Sequence, residues 1–333
     1  AHQKFMQINK INNLLELFYE QYQKQNKESI FLQSLKEPQA KYSWGDVYLN
    51  INKLSEEISK HIKKGDRCLL VSENRPEWMI SDLSIMLSGG ITVPAYTTYI
   101  ERDYEYIIDD CTPTIIIISD KIQYGKIKNI IPKKSFIKKI IFFENIENID
   151  EELNLNMCDI FKRDSCNNQN FSDLKIQRKD MACIIYTSGT QGSPKGVMLS
   201  HGGILNNCEG GYGLLKTFVS KKPKFLTWLP LSHSYEHTVQ FVQIIVGAKV
   251  FYAESIDKLI KNMRYCSPEV MTAVPRFYQN LHQKINASFG KATGLKKLLI
   301  NQTVYLGRKK LNKQKFSLVE NLVNFICEKL VRK

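Results

Sequence analysis

The sequence predicts an α/β fold in which parallel-rich sheets are layered between helices. Two observations lead there. Short apolar runs of strand character, such as Cys68-Leu69-Leu70-Val71 and Thr114–Ser119, alternate with stretches whose apolar residues recur at helical spacing. Glycine, proline and Asp/Asn turn signals stand between them, and strands that are apolar throughout belong to a sheet covered on both faces by crossover helices.

Taken in order, Ile11 to Gln25 carries Ile11, Leu14, Leu15, Leu17 and Phe18 at near-helical spacing, which predicts an amphipathic opening helix. Ser29–Gln33 and Ala40–Tyr42 read as short strands. Ser43 and Asp46 form a capping-box pattern, with Asp in the usual place of Glu, starting a helix toward Ile62. Gly65-Asp66 turns the chain into a strand over Arg67–Ser72. Pro76 suits the first turn of a helix over Glu77–Leu87, where a missing N–H costs nothing, and Gly89-Gly90 ends it. The alternation continues with strand Ile91–Ala95, helix Glu101–Asp110, strand Thr114–Ser119, helix Ile122–Ile130 and strand Ile137–Phe143.

Glu144 to Lys179 is polar, asparagine-rich and weakly periodic. It divides the chain into a βα stretch over 1–143, an excursion over 144–179, a second βα stretch over 180–294 and a basic helical tail over 295–333. Strand Met181–Tyr186 opens the second stretch, and Leu199–Leu215 reads as the next helix. Strand Phe225–Leu231, helix Tyr235–Val246, strand Lys249–Ala253, helix Ile256–Tyr265, strand Val270–Ala273 and helix Arg276–Phe289 follow. Two basic amphipathic helices are expected after Leu295.

The most informative stretch runs from Tyr186 to Val197: Tyr-Thr-Ser-Gly-Thr-Gln-Gly-Ser-Pro-Lys-Gly-Val. Its small residues allow backbone N–H groups close to anionic oxygens, its hydroxyls add donors, and Lys195 supplies a mobile positive charge. These are the parts of a polyphosphate cradle set between a strand and a helix. It is not a Walker A loop, because Gly189 and Gly192 are too close together and Lys195 is followed by Gly196.

A formal charge of +14 raises nucleic acid or an anionic membrane as partners. The lysines are spread along a chain also rich in Asn and Ile, and no RRM, KH or helix-turn-helix pattern occurs, so the expectation is a solvated lysine-rich surface and no nucleic acid. The eight cysteines lack C-x-x-C pairs and metal spacing, which suits buried free thiols in a reducing cytoplasm. No apolar run approaches the roughly 18 residues of a membrane span. Contact of the basic tail with an anionic membrane is a peripheral alternative to its packing as ordinary helix.

Tyr186 to Val197 closely resembles the signature loop of the adenylate-forming (AMP-binding) superfamily, written YTSGTTGxPKGV. Further segments resemble family motifs in the same order: Gly65-Asp66-Arg67 through Asn74-Arg75-Pro76-Glu77-Trp78, Gly89-Gly90-Ile91-Thr92-Val93-Pro94, Trp228 through His237, Val274-Pro275-Arg276-Phe277-Tyr278, and Leu306-Gly307-Arg308. The form Leu229-Pro230-Leu231-Ser232-His233 through Glu236-His237 is similar to the long-chain fatty-acid–CoA ligase branch. The resemblance covers roughly residues 10–333.

The resemblance implies a two-step ligase: a long-chain fatty-acid carboxylate attacks the α-phosphorus of ATP, giving acyl-AMP, and the thiol of coenzyme A then displaces AMP. Mg2+ is implied as the ion that lets two anions meet. Carried over by position, Thr187, Ser188, Gly189, Thr190, Gln191, Gly192 and Lys195 wrap the β- and γ-phosphates. Thr190 stands at the magnesium position, and Gln191 departs from the family's threonine. Lys195 and His233 are the implied catalytic residues, His233 at the junction of nucleotide and acyl sites. His237 is expected to be structural, since the order of residues 233–237 is wrong for an H-E-x-x-H zinc helix. Arg276 reads as a helix-start residue, and Tyr212 with Gly213 either borders an acyl tunnel or packs.

The family's adenine-binding segment, its Y-G-x-T-E and T-G-D motifs and its C-terminal domain find no counterpart in these 333 residues. The expectation is therefore part of a ligase, inactive alone. The alternative is a degenerate, non-catalytic half-domain that binds nucleotide or a partner.

Overall fold

The computed structural model describes residues 6–147, 150, 152–164, 167–188 and 192–331. The chain divides into two compact units, Ala1–Thr272 and Ala273–Lys333.

In the first unit, helix α1 (Leu14–Lys24) starts at Asn13, whose side-chain oxygen accepts from the Glu16 N–H. Strands β1 (Ile30–Ser34) and β2 (Lys41–Ser43) lead into α2 (Trp44–Ser59). The expected capping box at its start is present, Ser43 Oγ accepting from Asp46 N at 3.0 Å and Asp46 Oδ2 from Ser43 N at 2.8 Å. Next come β3 (Arg67–Val71), α3 (Pro76–Leu87), β4 (Ile91–Ala95), α4 (Glu101–Cys111), β5 (Ile115–Ile118), α5 (Lys121–Gly125) and β6 (Lys139–Phe142). α5 stops at Gly125 rather than Ile130, because glycine and the nearby Pro132 both disfavour a continuing helix.

Two strands depart from the sequence reading. β7 (Asn154–Asn156), followed by α6 (Met157–Phe161), lies in the polar excursion and pairs in parallel with β6. Three residues are too few to show a period. After β8 (Met181–Thr187), the stretch Lys195–Ser200 forms β9, antiparallel to β8. The signature segment thus closes a hairpin instead of entering a helix, and α7 (His201–Leu215) begins only where Ser200 Oγ accepts from the Gly203 N–H. Pairing with a neighbour strand decides such a short stretch, not its intrinsic preference. The unit continues through β10 (Lys224–Thr227), α8 (Ser234–Ile245), β11 (Lys249–Tyr252), α9 (Leu259–Cys266) and β12 (Val270–Met271).

The strands form a seven-stranded sheet, β7-β6-β5-β3-β4-β8-β9, and a five-stranded sheet, β12-β10-β11-β1-β2. Among the described residues only the β8–β9 and β1–β2 pairs are antiparallel. All twelve residues of α3 are buried, and α3 packs on β1 of one sheet and on β3 and β4 of the other. A helix buried on every side, mostly by apolar residues but with Asp82 among them, suits that place between layers. Of the described cysteines, Cys158 is half-buried and the others are buried, all as free thiols.

The second unit consists of α10 (Pro275–Gly290), α11 (Gly294–Leu311) and α12 (Leu318–Leu330). A capping box at Ser317 and Glu320 opens α12. No helix of the described residues is long and apolar enough to cross a membrane.

Candidate functional site

The hairpin of β8 and β9 sets the site. Thr187 and Lys195 are register partners at its loop end, and Thr187, Ser188, Ser193 and Lys195 are all exposed. None of these four side chains bonds to another described residue. Gly189, Thr190 and Gln191 lie outside the described residues; Gly192 follows them at φ +100°, a conformation that favours glycine. Gly196 is required for a different reason: a Cβ there would stand 2.8 Å from Ile184 Cγ2 and 3.2 Å from Tyr186 Cζ.

Helix α4 holds the hairpin on both sides of its loop, at Tyr186 of β8 and at Pro194 just before β9. Tyr106 Oη donates to the Pro194 carbonyl at 2.9 Å, and Tyr186 Oη donates to the Asp110 carboxylate. Tyr106 and Asp110 are four residues apart and so share a helix face. Burial, then the Asp110 hydrogen bond, pushes the Tyr186 phenol above its ordinary range and keeps it a donor.

The loop leaves the carboxyl end of β8, beside the parallel strand β4. A cavity of about 460 Å³ opens at the carboxyl ends of β3, β4, β10 and β11, lined among others by Asn74, Arg75, Tyr96, Trp228, Ser232 and Glu254. Ligands of open α/β sheets lie at such edges. Arg75, quoted in the sequence only as part of a motif, bonds Glu73 at 3.2 Å, Glu77 at 3.3 Å and Glu144 at 3.2 Å. Glu73, Asp120 and Glu144 bring carboxylate oxygens within 4.8 Å of one another, and Arg75 already pairs with two of them.

His233 caps α8, its Nδ1 accepting from the Tyr235 N–H at 3.2 Å, and is exposed. It follows β10 of the five-stranded sheet, whereas Lys195 belongs to the seven-stranded sheet, and no hydrogen bond joins them. His237 points the other way. It is 1 % exposed, with Nε2 2.6 Å from Asp82 Oδ2 and Nδ1 3.7 Å from Cys183 Sγ. Burial works against its proton, yet Asp82 and Cys183 prevail and hold its pKa at about 10. Glu236, also buried, accepts from Thr272 Oγ1 at 2.6 Å; burial raises its pKa to about 7 against that hydrogen bond. Neither residue was readable as buried from a run of five polar side chains, except by the 3.6-residue period of α8. Tyr212 and Gly213 lie on α7, and Arg276 is the second residue of α10 and exposed.

A family description, AMP-binding enzyme, matches residues 18–324. The chain belongs to the AMP-binding enzyme family. Among the relatives of this AMP-binding chain, Fatty acyl-CoA synthetase A of Dictyostelium discoideum is 27% identical over 247 residues, covering 72% of the chain and 36% of that protein. A long-chain-fatty-acid–CoA ligase from Archaeoglobus fulgidus has a similar structure, with TM-score 0.70 and 20% identity over 83% of this chain and 54% of the other. ATP-bound MatB from Rhodopseudomonas palustris gives TM-score 0.63 at 21% identity, over 81% and 51%. These structural likenesses bear out the expected layered α/β fold of the adenylate-forming enzymes. The chain spans about two fifths of the length of the curated relatives it matches, 36% and 41% in two cases.

Proposed function

We propose that the chain carries the phosphate-binding part of an AMP-forming ligase that activates a long-chain fatty acid with ATP and passes it to coenzyme A. The observation that carries this reading is the β8–β9 hairpin, whose loop end presents Lys195 and the hydroxyls of Thr187 and Ser188 to solvent around the family's signature loop. The names of the relatives, acyl-CoA synthetases and ligases, support the acid and thiol substrates, and an ATP-bound structural neighbour supports the nucleotide.

In this reading Lys195 neutralises charge on the departing pyrophosphate. Thr187, Ser188, Gly189, Thr190, Gln191 and Gly192 donate hydroxyl, amide and backbone N–H groups to the β- and γ-phosphates. Exposed donors, a cation and a glycine at positive φ fit that task. Magnesium, when bound, screens the phosphates from the incoming carboxylate, and Thr190 is the residue we assign to it. His233, exposed at the start of α8, is the residue we assign to the acyl end of the site. Peripheral membrane contact suits a substrate of this class, and residues 273–333 would provide it. We also divide the chain functionally at the excursion 144–179, between a supporting first stretch and the phosphate-binding second.

Calorimetric titration of the chain with Mg-ATP tests the assignment. Lys195→Ala removes charge-assisted hydrogen bonds of about 1.5–3 kcal/mol each, so Kd rises roughly 10- to 100-fold. Unchanged affinity refutes the role. Fatty-acid-dependent ATP–pyrophosphate exchange is expected to be absent from these 333 residues, and its detection would overturn the claim that they are inactive alone.

A further inference from the structure

One helix fixes both stems of the signature loop. Tyr186 is bonded to Asp110 and Pro194 to Tyr106, so Thr187 and Lys195 each follow directly on a residue that α4 holds. Other bonds and packing anchor α4 in turn. Tyr104, Ile107, Ile108 and Cys111 bury its inner face, and Tyr104 Oη donates to the Tyr96 carbonyl at 2.6 Å. Arg67 holds its carboxyl end, donating to the Cys111 carbonyl at 2.7 Å and to Thr112 Oγ1 at 2.8 Å, and Lys134 pairs with Asp109. Tyr186 also reaches the second strand: a Cβ on Gly196, its register partner on β9, would come within 3.2 Å of the ring's Cζ. One side chain is thus packed on β9 and bonded to α4.

We propose that Tyr106 and Asp110 are positioning residues for nucleotide phosphate, holding the two stems at the spacing from which Thr187 and Lys195 reach it. The proposal rests on the reading of the hairpin as a phosphate site. Fixing both stems removes conformations that binding would otherwise have to freeze, which is how a preorganised site gains affinity without new contacts. The chemistry of the pair favours this over direct action. A carboxylate repels a polyphosphate, so contact between Asp110 and the ligand would oppose binding; as acceptor of the Tyr186 hydroxyl it serves the geometry instead. Tyr106 has a single hydroxyl hydrogen, and the Pro194 carbonyl takes it.

The test is calorimetric titration with Mg-ATP of the native chain and of Tyr106→Phe, Asp110→Ala and Asp110→Asn, with hydrogen exchange at the Thr187, Lys195 and Gly196 amides and thermal unfolding followed for each. Tyr106→Phe should raise Kd about two- to ten-fold, the worth of one hydrogen bond. Exchange at the three amides should quicken while Tm stays close to native, because the Tyr106 side chain is exposed. Asp110→Ala should weaken binding in the same way. Asp110→Asn keeps an acceptor for Tyr186 and should restore native affinity and exchange. A merely structural role would lower Tm in step with any loss of affinity, and a direct electrostatic role would make Asp110→Asn bind more tightly than the native chain; either result overturns the proposal. Native Kd and native exchange in both Tyr106→Phe and Asp110→Ala would overturn it as well, while leaving the phosphate reading in place. A native chain that does not bind Mg-ATP would remove the phosphate reading itself, and the positioning role with it.

Discussion

Asp82→Ala is expected to be among the most damaging single changes in the first unit. Asp82 is fully buried on α3, and its Oδ2 accepts from His237 Nε2 at 2.6 Å and Gln240 Nε2 at 3.0 Å. Removing the carboxylate leaves His237 buried without a counter-charge and Gln240 without its acceptor. Breaking a buried pair from one side costs about 3–5 kcal/mol. Against a total stability of about 5–15 kcal/mol this is a large share, and it corresponds to a fall in Tm of roughly 6–20 °C for a domain of this size. The pH dependence carries a second signature. The folded pKa of His237, about 10, lies above its unfolded value near 6.5. Its contribution is therefore complete below about pH 6.5 and is lost as pH rises through 10. Thermal unfolding followed by circular dichroism at pH 6, 8 and 10 should show that decline in the native chain and a weaker one in Asp82→Ala. A variant within about 1 kcal/mol of the native chain would refute the ion-pair reading, and so would an unchanged pH slope.

Glu236 gives a change of opposite direction. Burial raises its pKa to about 7, so its unfolded carboxyl ionises first and stability falls as pH climbs from about 4.5 through 7. Glu236→Gln should raise Tm at pH 8 and leave it nearly unaltered at pH 5; equal Tm values for the two proteins at pH 8 would contradict the assignment. Asn74→Ala removes a donor to the Leu229 carbonyl at 2.6 Å and an acceptor from the Leu231 N–H at 2.9 Å. A loss of about 1–3 kcal/mol is expected, with faster limited proteolysis near residues 228–233; a native cleavage pattern would argue against the tie.

Most elements were legible because they are long or apolar enough to show a period: α2 with its capping box, α3 behind Pro76, and the strands Arg67–Val71 and Ile91–Ala95. β7 was hidden because Asn154 and Asn156 are polar, and it is placed by its register with Ile140 and Phe142. β9 was hidden because Val197, Met198 and Leu199 are equally at home at the start of a helix. Only pairing with Ile184 and Ile185 distinguishes the two outcomes. The candidate site follows the same division. Composition pointed to a phosphate cradle as an expectation, but nothing in the local sequence showed that α4 would hold the segment through Tyr106 and Asp110, since those contacts join segments about 80 residues apart.

The motifs quoted from the sequence also differ in what they do. Asn74-Arg75-Pro76-Glu77-Trp78 and Trp228 through His237 lie about 150 residues apart, yet they meet along a seam between the two sheets. Asn74 fixes the turn at Leu229–Leu231, and the Trp78 ring stands edge-on to His237 with centroids 5.5 Å apart. Most of the side chains at this seam are spent on each other, and Arg75 with its three carboxylates is neutralised in place. The hairpin residues Thr187, Ser188 and Lys195 have no such partners among the described residues. Two kinds of motif therefore coexist: one whose polar groups are satisfied internally and set the geometry of the cavity, and one whose polar groups have no hydrogen-bond partner among the described residues. That contrast, rather than resemblance alone, is why the phosphate role is assigned to the hairpin and a structural role to Asp82, His237 and Asn74.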